Sequence, residues 1–385
     1  MKLCFFTPAY PGIHNSSDFV FVKQLVDAIA AKGNDCYVIA PYNVLHYRKL
    51  LAVKDEYKVG SGLVIVYRPY YLSFSHIKGL QWLKKASFQY AIRKAITKLP
   101  KNIDAVYGHF WCSGYWGYKF AKKNNLPLFV ATGESCIEEL FEIPRDLKEF
   151  CEYVRGVICV SGRNMEESIK LGLTAKEKCR VFPNAVNKEI FYSRDKIECR
   201  KRLGLSKDDF IVAFVGWFIQ RKGAVRVAEA LSRLDNVKSF FIGRSASVKS
   251  ATNSDGDQDP KCEGILYKGE VPHDKIPLYL SAADCFVLPT LREGCCNAVV
   301  EALSCGLPVI SSNLPFNWDV LDDSNSIMID PMSIDEIADA IKRLRDDNLL
   351  CAKLSKGALN KAKSLTIDKR AEAVIGFIQS KINNR

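Results

Sequence analysis

Residues 289–310, PTLREGCCNAVVEALSCGLPVI, decide how the rest of the chain is read. The apolar run 286–289 before them reads as a buried strand, and Gly294 sits in a loop. Residues 298–304 then read as a helix, which Gly306 and Pro308 stop before a second short strand at 309–311. Strand, loop, helix and strand in that order make one unit of a parallel α/β sheet, whose ligands bind at the carboxyl edge of the strands. Asn297, a favoured N-cap residue, is predicted to start the helix. The backbone N–H groups of Cys295, Cys296, Asn297 and Ala298 are then free to hold an anion such as a diphosphate. Glu293 lies in the loop and Glu301 about one turn into the helix. A carboxylate accepts hydrogen bonds from vicinal hydroxyls, so the pair suits a sugar on one side and a ribose on the other. Two glutamates at this spacing are common by chance, and each also reads as a loop cap or a solvated helix residue. Here the glycine, the helix start and the following strand converge on one site.

The segment resembles the E-x7-E signature of the retaining glycosyltransferase family 4, and the resemblance runs from Pro8 to about Pro331. It implies an α/β chain of the GT-B fold: two Rossmann-like parallel-sheet domains facing each other across a cleft. It further implies a nucleotide-sugar donor, retention at the anomeric carbon, and neither a metal nor a cofactor. Glu293 is then expected on the donor sugar and Glu301 on the ribose, with Gly294 beside them.

A second constellation is GWFIQRKGA, residues 216–224, between an apolar strand and a helix. Arg221 and Lys222 there can balance a diphosphate and the charge that grows on it as the glycosidic bond breaks. The family pattern is similar at Lys222–Gly223, but where it has an arginine after Gly216 this chain has Trp217, and Arg221 is expected to substitute. Base contacts are expected from the main chain around Gly243, Glu270 and Val271. In the first half, His109 ends a strand and reads equally as a sugar or phosphate contact and as a buried, satisfied histidine. ATGES, residues 131–135, stands where relatives carry Thr-x-His-Gly, with Thr132 at the histidine position. Gly133 fits a close backbone approach, and Glu134 or Ser135 is expected to do the polar work. Glu134, Glu138, Glu139 and Glu142 otherwise read as a solvated acidic face. Arg163 is expected to reach the cleft, and Gly12 is the permissive residue of a loop, 8–18, that lines it.

A chain of 385 residues is comfortable for two domains. The expected division is 1–185 for the acceptor, 186–365 for the nucleotide sugar, and a terminal helix from 366 that packs back on the first domain. Alternating strands and helices across 1–185 predict a parallel sheet, with helices at 19–32, 77–99 and 113–124, and residues 244–264 read as an exposed insertion. Fourteen cysteines without a signal peptide or a C-x-x-C pair predict reduced thiols in a cytoplasmic protein. Residues 1–185 hold 26 Lys and Arg against 16 Asp and Glu, and no acid occurs between Lys58 and Lys101. That asymmetry points to an anionic partner. A basic helix at 77–101 with interleaved aromatics reads as a packed amphipathic helix that also steers the protein to an anionic membrane. The expected partners are therefore a nucleotide-sugar donor and a glycan or lipid-linked acceptor, with no nucleic acid. A dehydrogenase is poorly supported, since no G-x-G-x-x-G follows the first strand. Retained alternatives are a catalytically weak nucleotide-sugar-binding protein, motivated by Trp217 and Thr132, and a sugar-nucleotide epimerase.

Overall fold

The computed structural model describes residues 1–12, 19–45, 53–73, 80–141, 144–245 and 258–383. Residues 13–18 of the first loop, Lys78 of the basic stretch, Glu142 and residues 246–257 lie outside the described residues. Contacts divide the chain into two units, Met1–Phe182 with Ile367–Arg385, and Pro183–Thr366.

In the first unit the strands are β1 (Lys2–Phe6), β2 (Asp35–Ile39), β3 (Tyr42–Asn43), β4 (Lys54–Val59), β5 (Gly62–Tyr67), β6 (Tyr70–Tyr71), β7 (Ala105–His109), β8 (Leu128–Thr132), β9 (Val154–Cys159) and β10 (Cys179–Val181). The main sheet has the order β10-β9-β8-β7-β1-β2-β5-β4. Its central strands are short apolar runs buried on both faces, as a sheet covered by helices on both sides requires. Strand order reverses at β1, which lies between β2 and β7. The carboxyl ends of β1 and β7, where residues 7–12 and His109 sit, therefore flank a switch point. The sheet is not wholly parallel, because β4 pairs antiparallel with β5 at the edge. Its KDEYKV sequence is too charged to read as a strand, yet charge suits an edge that must not pair further.

Helices Val20–Ala31, Gln81–Ile96 and Trp111–Lys123 follow the sequence expectation within a few residues; Gly162–Lys170 is capped by Ser161, and Ile137–Leu140 and Leu147–Tyr153 were not anticipated. The terminal helix Ile367–Asn383 packs on helix Val20–Ala31 and on β9. Phe377 anchors it, with its ring 6.1 Å from that of Phe129 and 6.2 Å from that of Phe182. A side chain at Gly156 would meet the Phe377 ring at 2.8 Å.

The second unit holds β11 (Phe210–Val215), β12 (Val237–Ile242), β13 (Ile265–Gly269), β14 (Cys285–Leu288), β15 (Val309–Ser312) and β16 (Ser326–Ile329), in the order β13-β12-β11-β14-β15-β16 with every pair parallel. β16 and helix Lys196–Leu203 were not anticipated. Order reverses at β11, so the loops after β11 and β14 leave the sheet side by side. The pairing of β11 with β12 continues past both strands, through Gly216 N to Ile242 O at 2.9 Å and Phe218 N to Arg244 O at 2.8 Å. A β-carbon on Gly243 would lie 1.8 Å from Gly216 O, so only glycine allows that approach.

Among the described residues no helix is long and apolar enough to cross a membrane. All fourteen cysteines are free.

Replacing Phe377 by Ala is expected to destabilise the first unit by about 3–5 kcal/mol, the usual result of emptying a buried aromatic site. Hydrogen exchange should then rise in β8 and β9 while the second unit keeps its protection.

Candidate functional site

The switch point of the second unit brings together the two motifs singled out in the sequence. Glu293 Oε1 is 2.6 Å from Arg221 Nη1 and 2.6 Å from Lys222 Nζ, and it also accepts from Thr290 Oγ1 at 3.1 Å. Arg221 donates in addition to Arg292 O at 2.6 Å, while Arg221 O accepts from Leu291 N at 2.8 Å. The two loops are thus tied by main chain and by charge. Gly223, at φ 81°, allows the turn, since a side chain there would press on Pro289 at 2.9 Å.

The electrostatics follow from burial and pairing together. Burial pushes the Glu293 carboxyl up, but Lys222 and Arg221 outweigh it and hold its pKa below the ordinary glutamate value. Burial likewise opposes the Lys222 ammonium, and the neighbouring Cys296 and Glu293 more than offset it, so its pKa is raised. Two cations facing one carboxylate leave an excess positive charge at this edge, which suits an anionic ligand.

The helix after the loop corrects one expectation. Its first residue is Asn297, and the cap is Cys296, in extended conformation and with no side-chain cap hydrogen bond. Cys296 Sγ lies 4.0 Å from Lys222 Nζ. Cys295 and Gly294 are buried, and Asn184 Nδ2 donates to Cys295 O at 2.9 Å. Asn184 thus grips this loop from 111 residues earlier in the chain, a contact that no local pattern signals. Glu301 is not a solvated helix residue: it is 7% exposed and pairs with His273 Nε2 at 2.9 Å. His273 was also missed, although a histidine just past β13 already stood at the carboxyl edge. Burial opposes its charge, yet the hydrogen bond and charge of Glu301 raise its pKa. Gly216 and Val271 are half-buried at the ends of β11 and β13, and Gly243 N donates to Gly269 O at 2.8 Å. Trp217 is exposed and carries the Arg244 guanidinium 5.1 Å above its ring. The direct ion pairs of Glu293 are with Arg221 and Lys222.

In the first unit the expected residues are used differently. Phe110 takes φ 78°, costly for a non-glycine residue, and turns the chain from β7 into helix Trp111–Lys123. Glu134 covers the start of that helix: Oε1 accepts from Trp111 N at 2.8 Å, and Oε2 accepts from Thr132 Oγ1 at 2.7 Å and Gly133 N at 2.8 Å. The acidic-face reading is therefore overturned for Glu134, which is buried, while Glu138 and Glu139 are exposed. Burial pushes the Glu134 pKa up, against those hydrogen bonds. Thr132 is fully buried, and its hydroxyl donates to Glu134. Gly133 is packed against Val160, whose methyl carbons a side chain would meet at 3.2 Å. Arg163 is held by Ser135 O at 2.7 Å and by Glu167 at 3.1 Å. Gly12 is half-buried beside Pro11, whose carbonyl accepts from Arg68 Nη2 at 2.6 Å.

His109 is buried among the rings of Phe21, Tyr107 and Phe110. Burial first, and then the Arg370 charge, hold its pKa at about 3, and Nδ1 has no hydrogen-bond partner among the described residues. It is thus a neutral histidine, buried but not fully satisfied. Among the described residues no group of three or more His, Cys, Asp or Glu side chains is placed to hold a metal ion.

Glu293→Gln removes the countercharge of Lys222 and Arg221. It is expected to cost about 3 kcal/mol at neutral pH, the low end for breaking a buried pair. Because folding depresses the Glu293 pKa, its contribution is present above the unfolded value and disappears as pH falls through the folded one. Urea unfolding across a pH series should show a flatter acid limb for the variant.

Three comparisons bear on this geometry. The family models described as Glycosyltransferase Family 4 and Glycosyl transferases group 1 match residues 19–190 and 195–361, together most of the chain. The putative teichuronic acid biosynthesis glycosyltransferase TuaC of Bacillus subtilis is 28% identical over 91% of this chain and 90% of its own. The UDP-Gal:alpha-D-GlcNAc-diphosphoundecaprenol alpha-1,3-galactosyltransferase of Escherichia coli is 30% identical over 57% of this chain and 58% of its own. The structure of sucrose-phosphate synthase from Thermosynechococcus elongatus superimposes with a TM-score of 0.78 at 18% identity, covering 100% of both chains. With the two family models spanning most of the chain and the fold shared over its whole length, the chain belongs to the group 1 glycosyl transferases of glycosyltransferase family 4, has the GT-B fold, and is a glycosyltransferase.

Proposed function

We propose that this glycosyltransferase moves a hexose from a UDP- or GDP-sugar to a hydroxyl of a lipid-linked or polysaccharide acceptor, with retention and without a metal. The observation that carries the reading is the joint ion pairing of Arg221 and Lys222 with Glu293 at the switch point of the second sheet. In this reading Lys222, Arg221 and the start of helix Asn297–Ser304 stabilise the departing diphosphate, Glu293 orients the donor sugar, and Glu301 takes the ribose. The bond from the anomeric carbon to the diphosphate breaks with its electron pair left on the phosphate oxygen. The acceptor oxygen bonds that carbon on the same face, and its proton passes to the leaving phosphate. The Escherichia coli relative is named for a UDP-Gal donor and a diphosphoundecaprenol-linked acceptor, and the Bacillus subtilis relative for teichuronic acid biosynthesis; both support a glycan acceptor on a lipid or in a cell-surface polymer.

The protein is further proposed to work at the cytoplasmic face of an anionic membrane. Helix Gln81–Ile96 supports this: Trp82 is 64% exposed and Tyr90 67%, and Lys84, Lys85, Arg93 and Lys94 are exposed around them. Cations around an aromatic pair fit an anionic, half-apolar interface.

Mass spectrometry of free UDP and GDP, released from a panel of nucleotide sugars with and without lipid extract, tests the reaction. One donor should release its nucleotide, faster with lipid, and Glu293→Ala or Lys222→Ala should lower turnover by about 10²–10³. Undiminished turnover in Glu293→Ala overturns the assignment, and binding without release from any donor favours the binding-protein alternative. Vesicle flotation tests the second proposal: the protein should rise with anionic vesicles and not with neutral ones, and the double variant Lys85→Glu, Arg93→Glu should stay behind. Equal absence from both fractions rejects membrane docking.

A further inference from the structure

We infer that His273 is a positioning residue for the nucleotide-sugar donor: it pins one carboxylate oxygen of Glu301 so that the other is presented to the vicinal hydroxyls of the ribose. The inference rests on the reading of Glu301 given above. Glu301 sits mid-helix in Asn297–Ser304 and is 7% exposed. His273 arrives from a different element, the turn His273–Lys275 that follows β13, and its Nε2 meets Glu301 Oε1 at 2.9 Å. Its ring is held in turn against Phe191, with centroids 5.0 Å apart. A glutamate has three side-chain torsions, and an unpinned carboxylate samples several orientations. One hydrogen bond from a wedged ring removes that freedom before the ligand arrives, and a diol then meets an oriented acceptor. Nε2 can donate whether or not the ring carries a second proton, so the orienting bond survives ordinary changes in pH.

The discriminating measurement is calorimetric binding near neutral pH of whichever of UDP and GDP the wild-type chain binds, beside its 2′,3′-dideoxy counterpart. Wild type, His273→Phe, His273→Gln and Glu301→Ala are compared, with thermal unfolding as the check on folding. Wild type should prefer the ribonucleotide by about tenfold, the scale of a hydrogen bond to a charged group. His273→Phe should lose most of that preference while binding the dideoxy nucleotide as wild type does. His273→Gln should recover part of it through its amide N–H, and Glu301→Ala should abolish it. A His273→Phe protein that keeps the full preference, or that weakens both nucleotides equally, overturns the positioning role and leaves Glu301 standing. Equal binding of the two nucleotides by wild type, or binding of neither, overturns the reading of Glu301 on which the inference rests.

Discussion

The second unit depends on the parallel pairing of β11 with β12 on one side and β14 on the other. Parallel strands send every carboxyl end to the same edge, and the reversal of order at β11 parts the flanking loops there. The pairing persists beyond the strands because Gly243 lets its neighbour approach to a distance no side chain tolerates. Residues 216–223 and 289–296 are therefore delivered to one place by the sheet itself. What the two loops then contribute is chemistry of opposite sign.

That chemistry is a balance between desolvation and charge pairing. A carboxylate as buried as Glu293 is unfavourable alone, and so is an ammonium as buried as Lys222; side by side, each supplies what the other lacks. Arg221 adds a second cation and a main-chain anchor through Arg292 O. The cluster is built before any ligand arrives, so an anion meets donors that need little reorganisation. Glu301 shows the same economy on a smaller scale, with His273 satisfying one oxygen.

The first unit places its buried polar groups in structural service. Glu134 ties β8 to the start of helix Trp111–Lys123, where the aligned peptide dipoles favour a negative charge. His109 remains neutral under the combined weight of burial and Arg370, which comes from the last helix of the chain. A histidine so held cannot carry a positive charge near neutral pH, although it can still exchange hydrogen bonds. Its placement at the end of β7 was legible from the apolar run that it closes. Its state was not, because Arg370 lies far away in sequence.

Strands buried on both faces were legible because they must be continuous apolar runs: β14 and β15 fall where the runs at 286–289 and 309–311 predict. Helices whose apolar residues recur at helical spacing were equally plain, as Val20–Ala31 shows. β4 and helix Lys196–Leu203 were not, because both are rich in charge, and an element that buries little of itself leaves little pattern. The paired glutamates and the Arg221–Lys222 dipeptide were visible as residue types at a spacing, and the loop, helix start and strand around them gave that spacing its meaning. Pairing itself was decided in three dimensions. Cys296 rather than Asn297 caps the helix, Glu134 is buried rather than solvated, and Glu301 finds His273 across 28 residues of chain. The sequence by itself determined most of the buried strands and the order of motifs, since these follow from local periodicity and residue spacing, and it carried the resemblance that pointed to the family. Only the tertiary structure decided which carboxylate meets which cation and which is spent on a helix end, because burial and Coulomb energy depend on distances that the chain sets only once folded.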